Sequence, residues 1–342
     1  MTKESTRPLN LALQGGGAHG AFTWGVLDAL LADERFTFEG ISGTSAGAMN
    51  AVCLAYGLLH GGRLGARQVL NEFWTSVARE APFNTQARGP NMAPALKMML
   101  PWTAHLSPEQ LNPLDLNPLR DILDRLINFP ALQRHAQPQL FIAATQANSG
   151  KLRIFQTAEL TLDALLASAC LPTLHRSILI DGEPYWDGGY SANPAIFPLV
   201  HDCHCADILL VLLTPLRYQA TPLSAVDIRQ RLNELAFNAT FLREMRMFAH
   251  LRDEAGRPWL PDWLMARWPI APLEQRLRTI RFHAITADTV LGPLPAESKL
   301  AVNLPFFENL RDQGRAHARQ WLDESAAAIG QRPTLDIGAL FY

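Results

Sequence analysis

Two short apolar runs, each broken off by glycine and each passing at once into a helix-like run, constrain this chain more than any other feature. Leu9 to Gln14 (LNLALQ) ends at Gly15-Gly16-Gly17-Ala18-His19-Gly20. From there Ala21, Phe22, Trp24, Val26, Leu27, Leu30 and Leu31 recur at spacings near three and four. This reads as a buried strand, a tight turn and a helix. Phe36 to Ser42 (FTFEGIS) repeats the pattern, running through Gly43-Thr44-Ser45-Ala46-Gly47 into a helix over Ala46 to Leu59. Consecutive strand-turn-helix units predict a parallel sheet, and such sheets present their chemistry at the carboxyl ends of the strands.

The rest of the chain extends this plan. Gly61, Gly62 and Gly65 punctuate the helix end, and Arg67 to Arg79 reads as a further amphipathic helix. Asn117 to Ile127 has a capping asparagine followed by proline, the signature of a helix start. Strands are expected over Gln139 to Gln146 and Lys151 to Phe155, with a helix over Thr161 to Cys170. Ile178 to Trp186 reads as a hairpin around Asp181-Gly182, delivering Asp187-Gly188-Gly189. Asn193-Pro194 is expected to open a helix toward Val200. The apolar run Asp207 to Thr214 suits a strand covered on both faces. A long helix over Ser224 to Leu251, a strand over Thr279 to Thr286 and mostly helix from Pro295 to Ala328 complete the reading.

Residues 81–118 break the pattern, with seven prolines alongside Met92, Met98, Met99, Leu100 and Trp102. Two readings stay open: an apolar cap or lid over an acyl-chain pocket, or an ordinary surface excursion. Trp259, Trp263 and Trp268 likewise either cover the core or form a surface that meets lipid. With no internal repeat and no low-complexity linker, the expectation is one elaborated α/β domain over residues 1–342. In it, 81–118 is a cap insertion and 216–342 a C-terminal extension.

Charge narrows the function classes. A formal net charge of -2 with dispersed arginines gives no general attraction to phosphate backbones, so no nucleic acid partner is expected. Four cysteines are too few to staple 342 residues, which points to free thiols and a reducing, cytoplasmic setting. No secretory h-region precedes the glycines, and no run of about 18 apolar residues would cross a bilayer. His201-Asp202-Cys203-His204-Cys205 has the residue types of a zinc site but not its ligand-pair spacing, so it reads as packing and no metal is expected.

Ser45 is the candidate nucleophile. A serine hydroxyl needs a base and an uncovered position. Gly43 and Gly47 flank it two residues away on either side, so the backbone can turn sharply with little crowding. The helix starting at Ala46 aims amides at developing negative charge, and the amides of Gly15, Gly16 and Gly17 could bind the same oxyanion. Gly15, Gly17 and Gly20 also fit the dinucleotide pattern Gly-x-Gly-x-x-Gly, with Glu39 as its acidic partner. The elbow at Ser45 tips the balance toward hydrolysis. Asp187, at the end of a strand, could take the proton of Ser45 directly or hold a histidine.

Taken in order, these motifs closely resemble those of the patatin-like phospholipase family, over roughly residues 9–215. Gly15 to Gly20 is similar to its oxyanion motif, Gly43 to Gly47 to its serine elbow, and Asp187-Gly188-Gly189 to its Asp-Gly-Gly/Ala motif. Ala167-Ser168-Ala169-Cys170-Leu171-Pro172 is similar to its Ala-Ser-x-Ala-x-Pro segment. The resemblance implies a three-layer α/β/α fold with a mostly parallel sheet and a Ser45–Asp187 dyad. It implies an oxyanion hole of Gly15, Gly16, Gly17 and Ala46, with His19, Gly20, Gly188 and Gly189 in support. It implies hydrolysis of lipid carboxylic esters, phospholipid or lysophospholipid, through an acyl-enzyme and with no cofactor. Peripheral contact with a membrane would follow from such a substrate. The rivals are a general esterase or thioesterase on soluble acyl groups and a non-catalytic lipid-binding protein. Many members carry arginine or lysine where this chain has His19, so a dyad leaves His19 a structural or modest electrostatic role.

Overall fold

The structure is a computed structural model that describes residues 6–80, 106–135, 137–218, 221–256 and 272–342. Most of the 81–118 segment and all three tryptophans from Trp259 to Trp268 lie outside the described residues. Eight strands form one sheet: β1 Arg7–Leu13, β2 Phe36–Thr44, β3 Gln139–Gln146, β4 Leu152–Gln156, β5 Ile178–Ile180, β6 Glu183–Asp187, β7 Asp207–Leu212 and β8 Arg281–Thr286. The hydrogen-bonded path is β5-β6-β3-β2-β1-β7-β8, with β4 also paired to β3. From β3 through β8 this path is parallel, whereas β4, β5 and β6 pair antiparallel.

Side chains alternate across a strand, and here both faces are buried. Leu9, Leu11 and Leu13 of β1, with Leu140 and Ile142 of β3, join a core shared with α1 (Gly20–Ala32), α2 (Ala46–Glu80) and a late helix, Leu304–Ser325. Ala12, Phe141, Ile208, Leu210 and Leu212 face the other way. They meet Phe241, Met245 and Phe248 of the long helix Ala225–Gly256, Leu277 of Pro272–Thr279, and Phe341 near the C-terminus. The result is three layers, α/β/α. Besides the short helices Pro108–Leu111, Asp288–Leu291 and Ile337–Phe341, the helices after α2 are, in chain order, α3 Pro118–Leu126, α4 Phe129–His135, α5 Leu162–Ser168, α6 Phe197–His201, α7 Ala225–Gly256, α8 Pro272–Thr279 and α9 Leu304–Ser325. Asn193-Pro194 does not open a helix: α6 begins only at Phe197. No described helix is long and apolar enough to cross a membrane.

α2 is interrupted where the glycines predict, at Gly61 and Gly62, whose backbone angles are non-helical. α1 is buried along almost its whole length, because α9 covers the side that α2 and the sheet leave open. The two helices cross at glycine. A Cβ on Gly25 would stand 1.9 Å from the Arg311 carbonyl oxygen, and one on Gly314 would stand 2.1 Å from that of Phe22. Asp28 ties the three helices together, accepting from Arg67 of α2 at 2.8 Å and from Arg315 of α9 at 2.7 Å. Burial works to raise the Asp28 carboxyl, but the two arginines hold it below its ordinary range.

The pairing around β3 places the site. Ala143 is opposite Thr44 of β2 and Ile154 of β4, so β2 and β4 lie on opposite edges. Ala144 is opposite Arg153 of β4 and Asp187 of β6, so β6 lies on the same edge as β2. Thus β2 and β6 run toward each other along one edge of β3 and stop at consecutive positions, Thr44 at Ala143 and Asp187 at Ala144. Ser45, the next residue after Thr44, is delivered beside Asp187.

Glycine to alanine in a helix interior ordinarily stabilises by about 1 kcal/mol. At Gly25 the sign reverses, because a backbone carbonyl occupies the space. Gly25→Ala is expected to cost about 2 kcal/mol or more in a denaturant titration. Gly61→Ala, which meets nothing within 4 Å, should stay within about 0.5 kcal/mol of the parent.

Candidate active site

Ser45 sits between β2 and α2 at φ 53, in the left-handed region that side chains other than glycine rarely adopt. The neighbouring glycines make the turn possible. A Cβ on Gly43 would meet the Gly47 carbonyl oxygen at 2.7 Å, and one on Gly47 would meet that of Leu13 at 2.1 Å. The strained residue is held from outside: its amide donates to Ser168 Oγ at 3.0 Å, and Thr44 Oγ1 donates to the Ala192 carbonyl at 2.9 Å.

Asp187 ends β6 in a fully enclosed position. Its amide donates to the Cys170 carbonyl at 2.8 Å, and its own carbonyl accepts from Thr145 Oγ1 at 2.8 Å. Its carboxylate accepts the Gly189 amide at 2.7 Å and is hydrogen-bonded by the Ser45 hydroxyl. Burial pushes the carboxyl from its ordinary 3.8 up to about 7, against the smaller opposing pull of those two donors. Around neutrality it can therefore both take and return a proton. Gly188 is required here for space, since a Cβ would stand 2.2 Å from the Ala143 carbonyl oxygen. Gly189 lies against the Phe237 ring.

The glycine loop reaches Ser45 from β1, with Gly15 so close that a Cβ there would stand 2.9 Å from that of Ser45. One expectation about the loop needs correcting. The Gly15 amide is not free for an oxyanion, because it donates to Asn193 Oδ1 at 2.7 Å. The amides of Gly16 and Gly17 have no acceptor among the described residues, and that of Ala46 belongs to the first turn of α2, which lacks intrahelical acceptors. Asn193 is itself anchored: its carbonyl accepts Gln14 Nε2 at 3.3 Å, and Gln14 Oε1 accepts the amides of Leu213 and Thr214 at 2.6 and 2.8 Å.

His19 does not reach this group. Its Nε2 pairs with Ser298 Oγ at 2.7 Å, and burial first, then the charge of Lys299, lowers its pKa to about 3. It is a neutral packing residue at ordinary pH. Gly20 lets α1 lie against α2, because a Cβ there would stand 2.6 Å from that of Ala46. Glu39 does not behave as the acidic partner of a dinucleotide site: its carboxylate accepts the amides of His204 and Cys205 ahead of β7. Cys203 packs on Gly40, and Cys205 donates to the Pro8 carbonyl.

Ser168, Asn193, Gln14 and Thr145 position the site, and residue-by-residue reading gave none of them a role. Only Ser168 carried a signal, inside Ala167 to Pro172. That segment supplies an acceptor to each half of the pair, the Ser168 hydroxyl to Ser45 and the Cys170 carbonyl to Asp187.

Asp187 makes the fold pH-sensitive in a defined direction. Its folded pKa lies above its unfolded value, so its contribution to stability is fully present below about pH 4. It is lost as pH rises to about 7 and is flat above that. Asp187→Asn keeps an acceptor for the Gly189 amide and removes the buried charge. The variant is expected to be more stable than the parent by about 2 kcal/mol or more at pH 8, with the gain fading at pH 5, in parallel denaturant titrations. Glu244, also raised by burial to about 7, is common to both proteins and cancels in the comparison.

Known proteins resemble this chain to different extents. An uncharacterized protein of Escherichia coli K12, YjjU, is 28% identical over 185 residues, which are 53% of this chain and 45% of that protein. The match therefore spans less than half the length of that relative. Among solved structures, VipD from Legionella pneumophila aligns over 93% of this chain and 67% of its own at 17% identity, with a TM-score of 0.40. ExoU, in its complex with SpcU from the type III secretion system of Pseudomonas aeruginosa, aligns over 98% and 76% at 14% identity, with a TM-score of 0.29. The description of a patatin-like phospholipase fits residues 11–200, more than half of the sequence, and the chain belongs to that family of lipid-acting hydrolases.

Proposed function

We propose that the protein is a serine acyl hydrolase acting on carboxylic esters of phospholipid or lysophospholipid through a Ser45–Asp187 dyad. The observation that carries this reading is the hydrogen bond from the strained Ser45 to a buried carboxylate whose pKa lies near neutrality. As Ser45 Oγ bonds to the acyl carbon, its proton passes to Asp187. The negative charge that forms on the carbonyl oxygen is received by the amides of Gly16, Gly17 and Ala46. Asp187 then returns the proton to the departing alcohol oxygen as the carbon–oxygen bond breaks, leaving an acyl group on Ser45. A water repeats the sequence, giving its proton to Asp187 and releasing the carboxylic acid and free serine.

No histidine takes part, so the pH dependence belongs to Asp187. The dyad needs it ionised, and activity should rise with pH to a plateau with its midpoint near 7. Ser45→Ala and Asp187→Asn are each expected to lower turnover of a lysophospholipid at least about 1000-fold while the fold is kept. A fluorophosphonate probe should label Ser45 in the wild-type protein alone. Failure of the folded protein to label would sink the hydrolase reading, and turnover at the parent rate in Asp187→Asn would sink the dyad.

A further inference from the structure

The parallel strands reverse their order of addition at β1, with β2 and β3 on one side and β7 and β8 on the other. In open α/β sheets this reversal leaves a crevice at the carboxyl ends of the strands, where ligands collect. Ser45 occupies the β2 side. On the β7 and β8 side lies a cavity of about 450 Å³. Leu213, just past β7, and Leu291 and Leu294, past β8, give it apolar walls, and Tyr218 and Arg231 close it from the approach to α7 and its early turns.

The glycine loop is the partition between the two. A Cβ on Gly15 would stand 2.9 Å from that of Ser45, one on Gly16 would stand 3.0 Å from the Leu213 side chain, and one on Gly17 would stand 2.5 Å from the carbonyl oxygen of Lys299, which lines the cavity. Two peptide units, at most about 7 Å of chain, separate the first contact from the last. The cavity and the nucleophile therefore lie on either side of one short glycine loop.

The charges in the cavity have both signs. Glu234 receives Lys299 Nζ at 3.3 Å and Arg231 Nε at 3.5 Å, so two cations share one carboxylate. The Arg231 guanidinium is fixed over the Tyr218 ring at 3.3 Å. Asp227, one turn earlier on α7, is exposed and is hydrogen-bonded only by its capping partner, Ser224, among the described residues. His19 also lines the cavity but pairs through Nε2 with Ser298. An alkyl chain here would strip water from four charged groups without replacing their partners. A purely anionic group would satisfy the cations and leave Asp227 opposing it. A zwitterion satisfies both ends.

We infer that this cavity binds the zwitterionic phosphodiester head group of a glycerophospholipid, its phosphate on Arg231 and Lys299 and its ammonium toward Asp227, with the acyl ester at the glycine loop. The substrate role of this site rests on the hydrolase reading. The binding itself does not.

Calorimetric titration of the full chain with sn-glycero-3-phosphoethanolamine, which has no acyl ester, tests the binding alone. It should bind saturably and at least tenfold more tightly than glycerophosphoglycerol, which lacks the amine. Arg231→Gln and Lys299→Met should each weaken it at least tenfold, Asp227→Asn should abolish the preference for the amine, and Leu294→Trp should block the cavity without altering a charge. Absence of saturable binding, equal binding of the two diesters, or binding of decanoate in their place would overturn the inference. So would full affinity in Leu294→Trp. Fluorophosphonate labelling of the same preparations separates the two ideas. Labelling without head-group binding defeats only this inference, and binding without labelling defeats only the hydrolase reading.

Discussion

One edge of β3 has to serve two strands, and the site depends on how it is shared. β2 takes the first half in parallel register and β6 the second half in antiparallel register, so their ends meet over Ala143 and Ala144. Backbone ladders are stiff, and their registers place the serine and the aspartate side by side with no loop in the path that sets their separation. The opposite edge of β3 carries β4, which prevents either strand from changing sides. Ala167 to Pro172 then braces the junction, with one hydrogen bond to Ser45 and one to Asp187.

Such a junction is costly to the fold that contains it. Ser45 is held in the left-handed region, a cost of about 1–3 kcal/mol, and Asp187 is enclosed where ionisation is opposed. The offset comes from packing that has no part in the chemistry. Both faces of the sheet are covered, and α1, α2 and α9 are locked by the Gly25 and Gly314 crossing and by the paired arginines on Asp28. The same burial that destabilises the ionised Asp187 gives it a proton affinity matched to neutral pH. On the proposed mechanism, instability and reactivity have one cause.

The strands, the elbow and the order of the motifs were legible because each rests on local signals: apolar runs ended by glycine, and helix patterns begun by Asn117 or Thr161. The α/β/α layering followed from runs apolar at consecutive positions, since a strand such as Asp207–Leu212 needs cover on both faces. What the sequence did not show is which groups are already spoken for. Gly15 looks like an oxyanion donor until Asn193, 178 residues away, is seen to take its amide. His19 looks like a titrating neighbour of the site until Ser298 and burial fix it as neutral. These are long-range pairings between polar groups, and no periodicity or spacing encodes them.

The clamp on the Gly15 amide orders the glycine loop beside Ser45. An oxyanion hole stabilises charge to the extent that its dipoles are already oriented when the charge appears. With its own amide clamped by Asn193, Gly15 fixes the start of the loop against Ser45. Gln14 makes that clamp rigid, since one side chain joins the Asn193 carbonyl to the amides that follow β7. Beyond Gly17 the chain enters the turn held by His19 and Ser298, so the amides of Gly16 and Gly17, which have no acceptor among the described residues, lie between fixed ends. In this arrangement Gly15 positions Gly16 and Gly17, the proposed oxyanion donors. The geometry of the proposed hole is set by a polar network tying the ends of β1 and β7 to the loop after β6.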